Sequence, residues 1–114
     1  MATLRCGHEE LPLEFSNAFL AHLQVAAGRR FGTGAGFYLT GTYSDSDGKE
    51  VTVSRWLHPS IALEFVYDVT DDSDDRLPPV QLDHGEIDAM LAAMDRPVGV
   101  KATSDVWLTF TEPI

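Results

Sequence analysis

Two alternating runs joined by Asp47-Gly48 constrain this chain most. Residues 37–43 place Tyr38, Thr40 and Thr42 on one side and Phe37, Leu39 and Tyr43 on the other. Residues 51–58 return with the same period. Thr52, Ser54, Trp56 and His58 share one face, and Val51, Val53, Arg55 and Leu57 share the other. A period of two marks a strand, because successive side chains point to opposite faces. Asp-Gly between two such runs predicts a type I′ turn, with positive φ at both central residues. A β-hairpin is therefore expected in the middle of the chain, with the apolar face of its return strand toward a core.

The flanking segments supply what packs on it. After a break at Pro59-Ser60, Ile61, Leu63, Phe65 and Tyr67 alternate with Ala62, Glu64 and Val66. A third antiparallel strand beside the hairpin would complete a meander. Upstream, residues 3–6 and 11–15 read as short strands. Leu11, Leu13 and Phe15 alternate with Pro12 and Glu14, and Pro12 cannot donate to a ladder, which places that strand at an edge or its own start. Ser16 reads as an N-cap, and Phe15 and Leu20 have the spacing of a hydrophobic staple. The helix runs to about Phe31, with Phe19, Leu23, Ala26, Ala27 and Arg30 on one face and Gly32 as its stop. A second helix is announced by Asp83 and Glu86 at capping-box spacing and by the stripe Ile87, Met90, Leu91 and Met94. Pro97 ends it. Residues 98–113 form either one long strand or a hairpin turning near Ser104-Asp105. The order ββ-α-βββ-α-β(β) predicts one α+β domain over residues 1–114, a mostly antiparallel sheet with two helices on one face.

Charge narrows the partners. The chain has 8 basic and 18 acidic residues, a net charge of −10. Nucleic-acid binders neutralise phosphates with a basic stripe, and here only Arg29 and Arg30 are adjacent. Direct nucleic-acid binding and anionic lipid are both disfavoured. Apolar runs fall far short of the roughly 20 residues a membrane span needs, and no secretory leader is visible. Cys6 is the only cysteine, so no intrachain disulfide forms, and a cytoplasmic location is expected.

Leu20-Ala21-His22-Leu23-Gln24-Val25 and Trp56-Leu57-His58-Pro59-Ser60-Ile61-Ala62-Leu63, in this order and separation, resemble a family of small actinobacterial proteins. Its members carry LAHLQVV in an N-terminal helix and WLHPSIPL after a central hairpin, and Thr3-Leu4-Arg5-Cys6-Gly7 resembles its first strand. The likeness covers roughly residues 1–68. The chain differs at Ala62, where the family has proline, at Gly28-Arg29-Arg30-Phe31, where the family is more basic, and in its acidic loop and tail. The family is a domain of unknown function, often labelled "ATP-dependent DNA ligase" in genomes. That label implies a nucleotidyl-accepting lysine in a K-x-D-G-like motif. The only lysines are Lys49 and Lys101, and Lys49 opens Lys-Glu-Val. Ligase activity is rejected.

Several constellations invite chemistry. His22 and His58 both lie in the recognisable segments, and imidazole serves as base or metal ligand near neutral pH. They are the candidate catalytic residues of a small hydrolase or lyase, working together or with a carboxylate. Against this, no third group orients them, and His58 also reads as a strand-end cap before Pro59. His58-Pro59-Ser60 sets a hydroxyl beside an imidazole, but Pro59 and Ser60 are ordinary turn formers. Asp45, Asp47 and Glu50 resemble a fragment of a calcium loop, yet Tyr43 and Ser54 stand where its terminal ligands belong. Asp71, Asp72, Asp74 and Asp75 read as a solvated acidic loop. Gly32, Gly34 and Gly36 follow a helix, whereas a phosphate cradle precedes one. No metal or cofactor is implied. Trp56 on the outer hairpin face, with His58, Tyr38 and Trp107, would form an aromatic platform. The expected function is a non-enzymatic module that binds a protein partner or itself, through this face or an edge strand. An acidic decoy for a basic nucleic-acid-binding protein is a further alternative.

Overall fold

The computed structural model describes residues 2–67 and 82–102. The elements run β1 (Thr3–Cys6), β2 (Glu9–Glu10), α1 (Asn17–Gly32), β3 (Phe37–Ser44), β4 (Glu50–Leu57), β5 (Leu63–Val66), α2 (His84–Met94) and β6 (Val100–Ala102). The expected α+β class is what forms. The strands make two three-stranded sheets rather than one, ordered β2-β1-β5 and β4-β3-β6.

The hairpin pairs without interruption from Phe37↔Leu57 to Ser44↔Glu50. Its turn differs from the expected type I′. Gly48 has φ of 78°, and no described non-glycine residue has positive φ. Asp45 N–H bonds the Lys49 carbonyl at 2.9 Å, and Gly48 N–H bonds the Asp45 carbonyl at 3.0 Å. This is a three-residue loop ending in a left-handed glycine. Asp45 dictates it, because its carboxylate accepts from the N–H groups of Asp47 and Lys49, each at 2.9 Å.

The meander does not form. β5 runs antiparallel to β1, with Leu4 opposite Phe65. The reason lies between β4 and β5. Ile61 N–H closes a turn onto the His58 carbonyl at 2.9 Å, and the Ala62 carbonyl accepts from Gly7 N–H at 2.7 Å. The chain is captured by the first sheet before it can fold back along β4. The alternation itself holds, since Ile61, Leu63, Phe65 and Tyr67 are half-buried and their neighbours exposed. Residues 11–15 also depart from a regular strand. β1 pairs with Glu9 and Glu10, then Ala2 bridges Phe15. The ladder loses register across Pro12, which has no N–H to give, yet Leu11, Leu13 and Phe15 still face the core.

α1 starts where Ser16 Oγ accepts from Phe19 N–H at 3.0 Å. Phe15 stacks on Phe19 at 5.5 Å, reinforcing the helix entry. Gly32 is the last helical residue, and Gly34 takes the left-handed conformation at φ of 82°. α2 starts at Asp83, whose carboxylate accepts from Gly85 N–H at 2.8 Å and Glu86 N–H at 3.3 Å. Ile87, Met90, Ala93 and Met94 are buried, and Leu91 is half-buried. β6 then enters parallel to β3. Gly99 permits this close approach. It sits at φ of 66°, and a Cβ there would lie 1.8 Å from the Tyr38 carbonyl oxygen.

One core cluster joins both sheets and both helices. Leu4, Phe15, Phe19, Leu23, Phe37, Leu39, Leu57, Ile87, Met90 and Val100 are essentially fully buried in it. Each such side chain contributes about 1.5–3 kcal/mol of transfer free energy. Arg30 fastens the helix ends. Its guanidinium donates to the Gly36 carbonyl at 3.0 Å, the Met94 carbonyl at 3.4 Å and the Asp95 carboxylate at 2.5 Å.

Candidate interaction surface

Alternation along the hairpin sends Phe37, Leu39 and Leu57 into the core. The other parity, Tyr38, Thr40 and Thr42 with Thr52, Ser54 and Trp56, must then face outward. Tyr38 and Trp56 are directly opposed. Their rings lie 5.0 Å apart with a 56° tilt, and Trp56 stacks near His58 at 6.0 Å and 25°. Tyr38 is 41% exposed and Trp56 44%. Gly36 makes room for the indole, since a Cβ there would come within 2.8 Å of its ring. Beyond the aromatics, Thr40 and Ser54 hydroxyls meet at 2.6 Å, and Thr42 and Thr52 at 3.2 Å. Thr40 also donates to the Val98 carbonyl at 2.8 Å, placing exposed Val98 beside the row. Three of the four expected platform residues therefore come together. Trp107 lies outside the described residues, as does the acidic run 71–75.

His58 closes its own turn. Its Nδ1 accepts from Ser60 N–H at 3.2 Å and lies 2.9 Å from Ser60 Oγ. That pattern puts the ring proton on Nε2 in the neutral form.

His22 is elsewhere and wholly buried. Its Nδ1 donates to the Ala18 carbonyl at 2.6 Å. Its Nε2 accepts from the backbone N–H of Asp83 at 2.8 Å. In a capping box the third helical residue's carboxylate would reach back to that N–H. Here His22 takes the role from a different helix, and Glu86 Oε2 is left buried with no partner among the described residues. No hydrogen bond joins His22 to His58 among the described residues, and those residues hold no group of three or more His, Cys, Asp or Glu suited to a metal.

Sequence reasoning missed a shallow cleft of about 380 Å³ on the opposite side of α1. Gln24, Ala27, Gly28 and Phe31 line one wall, and Pro59, Ile61, Leu63 and Phe65 the other. The two recognisable segments thus meet there through Gln24, Pro59 and Ile61. Tyr67 donates to Gln24 Oε1 at 2.6 Å, and burial pushes its phenol pKa up. Under the hairpin, Arg55 reaches Glu9 at 2.6 Å and ties β4 to β2. Burial also raises the thiol pKa of Cys6, against a lowering pull from Arg55.

A family model described as "Domain of unknown function (DUF7882)" matches residues 1–105. No curated protein and no solved structure matches the chain. The chain belongs to the family of the domain of unknown function DUF7882.

Proposed function

We propose that this chain is a non-catalytic protein-interaction module whose binding surface is the outward face and edge of the β3–β4 hairpin. One observation carries the reading: Trp56 and Tyr38 lie exposed and packed on each other, directly opposed near the open end of a regular strand pair. Large aromatics supply most of the energy at protein interfaces because they bury much area with few torsions to freeze. The rigid ladder beneath fixes their positions before any partner arrives, which lowers the entropy lost on binding. The hydroxyl rows beside them offer neutral donors and acceptors.

The hydrolase reading has less support. A base must be able to take a proton, and both ring nitrogens of His22 are held by backbone groups inside the core. His58 has one nitrogen engaged by its own turn. The net charge of −10 argues against an anionic polymer as ligand. No described helix is long and apolar enough to cross a membrane. We place the module in the cytoplasm, where the free thiol of Cys6 stays reduced.

Affinity capture from the native host, with wild-type and Trp56→Ala chains in parallel, tests the reading. A specific partner that depends on Trp56 is expected. Equal capture by both chains would remove Trp56 as the anchor.

A further inference from the structure

We infer that the outer edge of β4 pairs with the same edge of a second copy of this chain, antiparallel, in a register centred on Val53. The inference rests on the interaction-module reading and names its partner.

The hairpin register shows which backbone groups face outward. Asp45 N–H bonds the Lys49 carbonyl, and that pair continues the ladder that ends at Ser44↔Glu50. Bonded and non-bonded pairs alternate in an antiparallel ladder. Val51, Val53, Arg55 and Leu57 therefore bond to β3. The close hydroxyls of Thr40–Ser54 and Thr42–Thr52 agree, because side chains approach most nearly at non-bonded pairs. The N–H and C=O groups of Glu50, Thr52, Ser54 and Trp56 thus point away from β3. β4 ends its sheet, so nothing among the described residues meets them.

Natural proteins blunt such edges with short strands, bulges, Pro or Lys. β2 has 2 residues, β6 has 3 and β5 has 4. β4 has 8, in constant register, with neither Pro nor Lys. Its one cation, Arg55, is turned inward to Glu9. That inward charge is a partial guard, yet of the described edges β4 alone is long, regular and free of both Pro and Lys.

Its sequence also suits itself. A two-fold axis at Val53 sets Thr52 opposite Ser54 of the second copy, and Glu50 opposite Trp56. Every outward group on both edges then finds a partner. Centring on Thr52 would leave Trp56 unpaired, and centring on Ser54 would leave Glu50 unpaired. The two Glu50 carboxylates fall about 20 Å apart at roughly 3.4 Å per residue, well beyond a screening length of about 8 Å. The sheets join into one of double width, β6-β3-β4 continuing into its copy.

The test is sedimentation of the full chain over a concentration series, with disulfide trapping. Wild type is expected to dimerise, more tightly as salt screens the −10 charges on each copy. Val53→Cys should cross-link at the axis at least about tenfold faster than Thr42→Cys, which lies on the other strand, because pairing raises the effective concentration. Ser54→Pro removes an outward donor that β3 does not use, so it should abolish dimers and keep the fold. Should Ser54→Pro fail to fold, Thr52→Lys decides: it sets the two lysines at diagonal positions across the axis, within reach of each other, and should weaken dimers about two- to fivefold. A wild-type monomer at every concentration, or Val53→Cys no faster than Thr42→Cys, overturns the inference. So does a folded Ser54→Pro or Thr52→Lys chain that still dimerises like wild type. A monomer that still captures a Trp56-dependent host protein overturns this inference alone. Capture indifferent to Trp56→Ala overturns the reading beneath it.

Discussion

Replacing His22 with leucine separates a structural histidine from a catalytic one. His22 is fully buried between α1 and the start of α2. Leucine fills similar volume, so the cavity contribution is small. The Ala18 carbonyl keeps its ordinary helical partner, so the loss falls on Asp83 N–H. A buried donor stripped of its acceptor costs about 1–3 kcal/mol. For 114 residues, an unfolding entropy of about 2.1 cal/mol/K per residue gives about 240 cal/mol/K. The melting temperature should fall by about 4–12 °C. His22→Ala adds a cavity and should cost about 3–5 kcal/mol in total. His22→Gln offers an acceptor again and should recover part of the loss. Thermal unfolding followed by circular dichroism gives the shifts, and hydrogen exchange at the Asp83 amide locates the cause. His22→Leu melting within about 1 °C of wild type, with Asp83 exchange unchanged, would refute the bridging role.

Further substitutions probe other parts of the fold. Gly99→Ala forces a left-handed residue and a Cβ against the Tyr38 carbonyl; β6 should detach, seen as insoluble or strongly destabilised protein. Arg30→Met loses charge-assisted bonds to two buried-end carbonyls and should cost about 1–3 kcal/mol by urea unfolding. Asp95→Ala should cost well under 1 kcal/mol, because that end of the ion pair is exposed. Trp56→Ala should cost under about 1 kcal/mol of stability, given a half-exposed ring, while losing the partner. The Cys6 thiol is buried and its pKa raised above 9.0, so a disulfide reagent at pH 8 should label it far more slowly than in denaturant. The folded chain holds that proton more tightly, so its stabilising contribution is present below about pH 9 and lost as pH rises through the folded value.

Side-chain parity was readable from the sequence, and pairing partners were not. Period two placed Trp56 outward and Leu57 inward, and both stand so, because parity depends only on local backbone geometry. The caps at Ser16 and Asp83 were equally local. β5's choice of β1 over β4 depended on the local turn from His58 to Ile61 being followed by a backbone bond from distant Gly7 to Ala62, and no window of sequence contains that second bond. The Asp45 carboxylate overrode the Asp-Gly signal by bonding two turn amides. His22 looked reactive because histidine is chosen for chemistry and for bridging alike, and only the position of Asp83 tells the two apart.

Amide hydrogen exchange along β4, read residue by residue in dilute and concentrated protein, bears most directly on the hairpin as a binding surface. The inward amides of Val51, Val53, Arg55 and Leu57 should be protected throughout. Protection of Thr52, Ser54 and Trp56 should rise with concentration as their edge becomes occupied. Outward amides that exchange freely at every concentration, and remain free when the host fraction captured by the wild-type chain is added, would contradict the account.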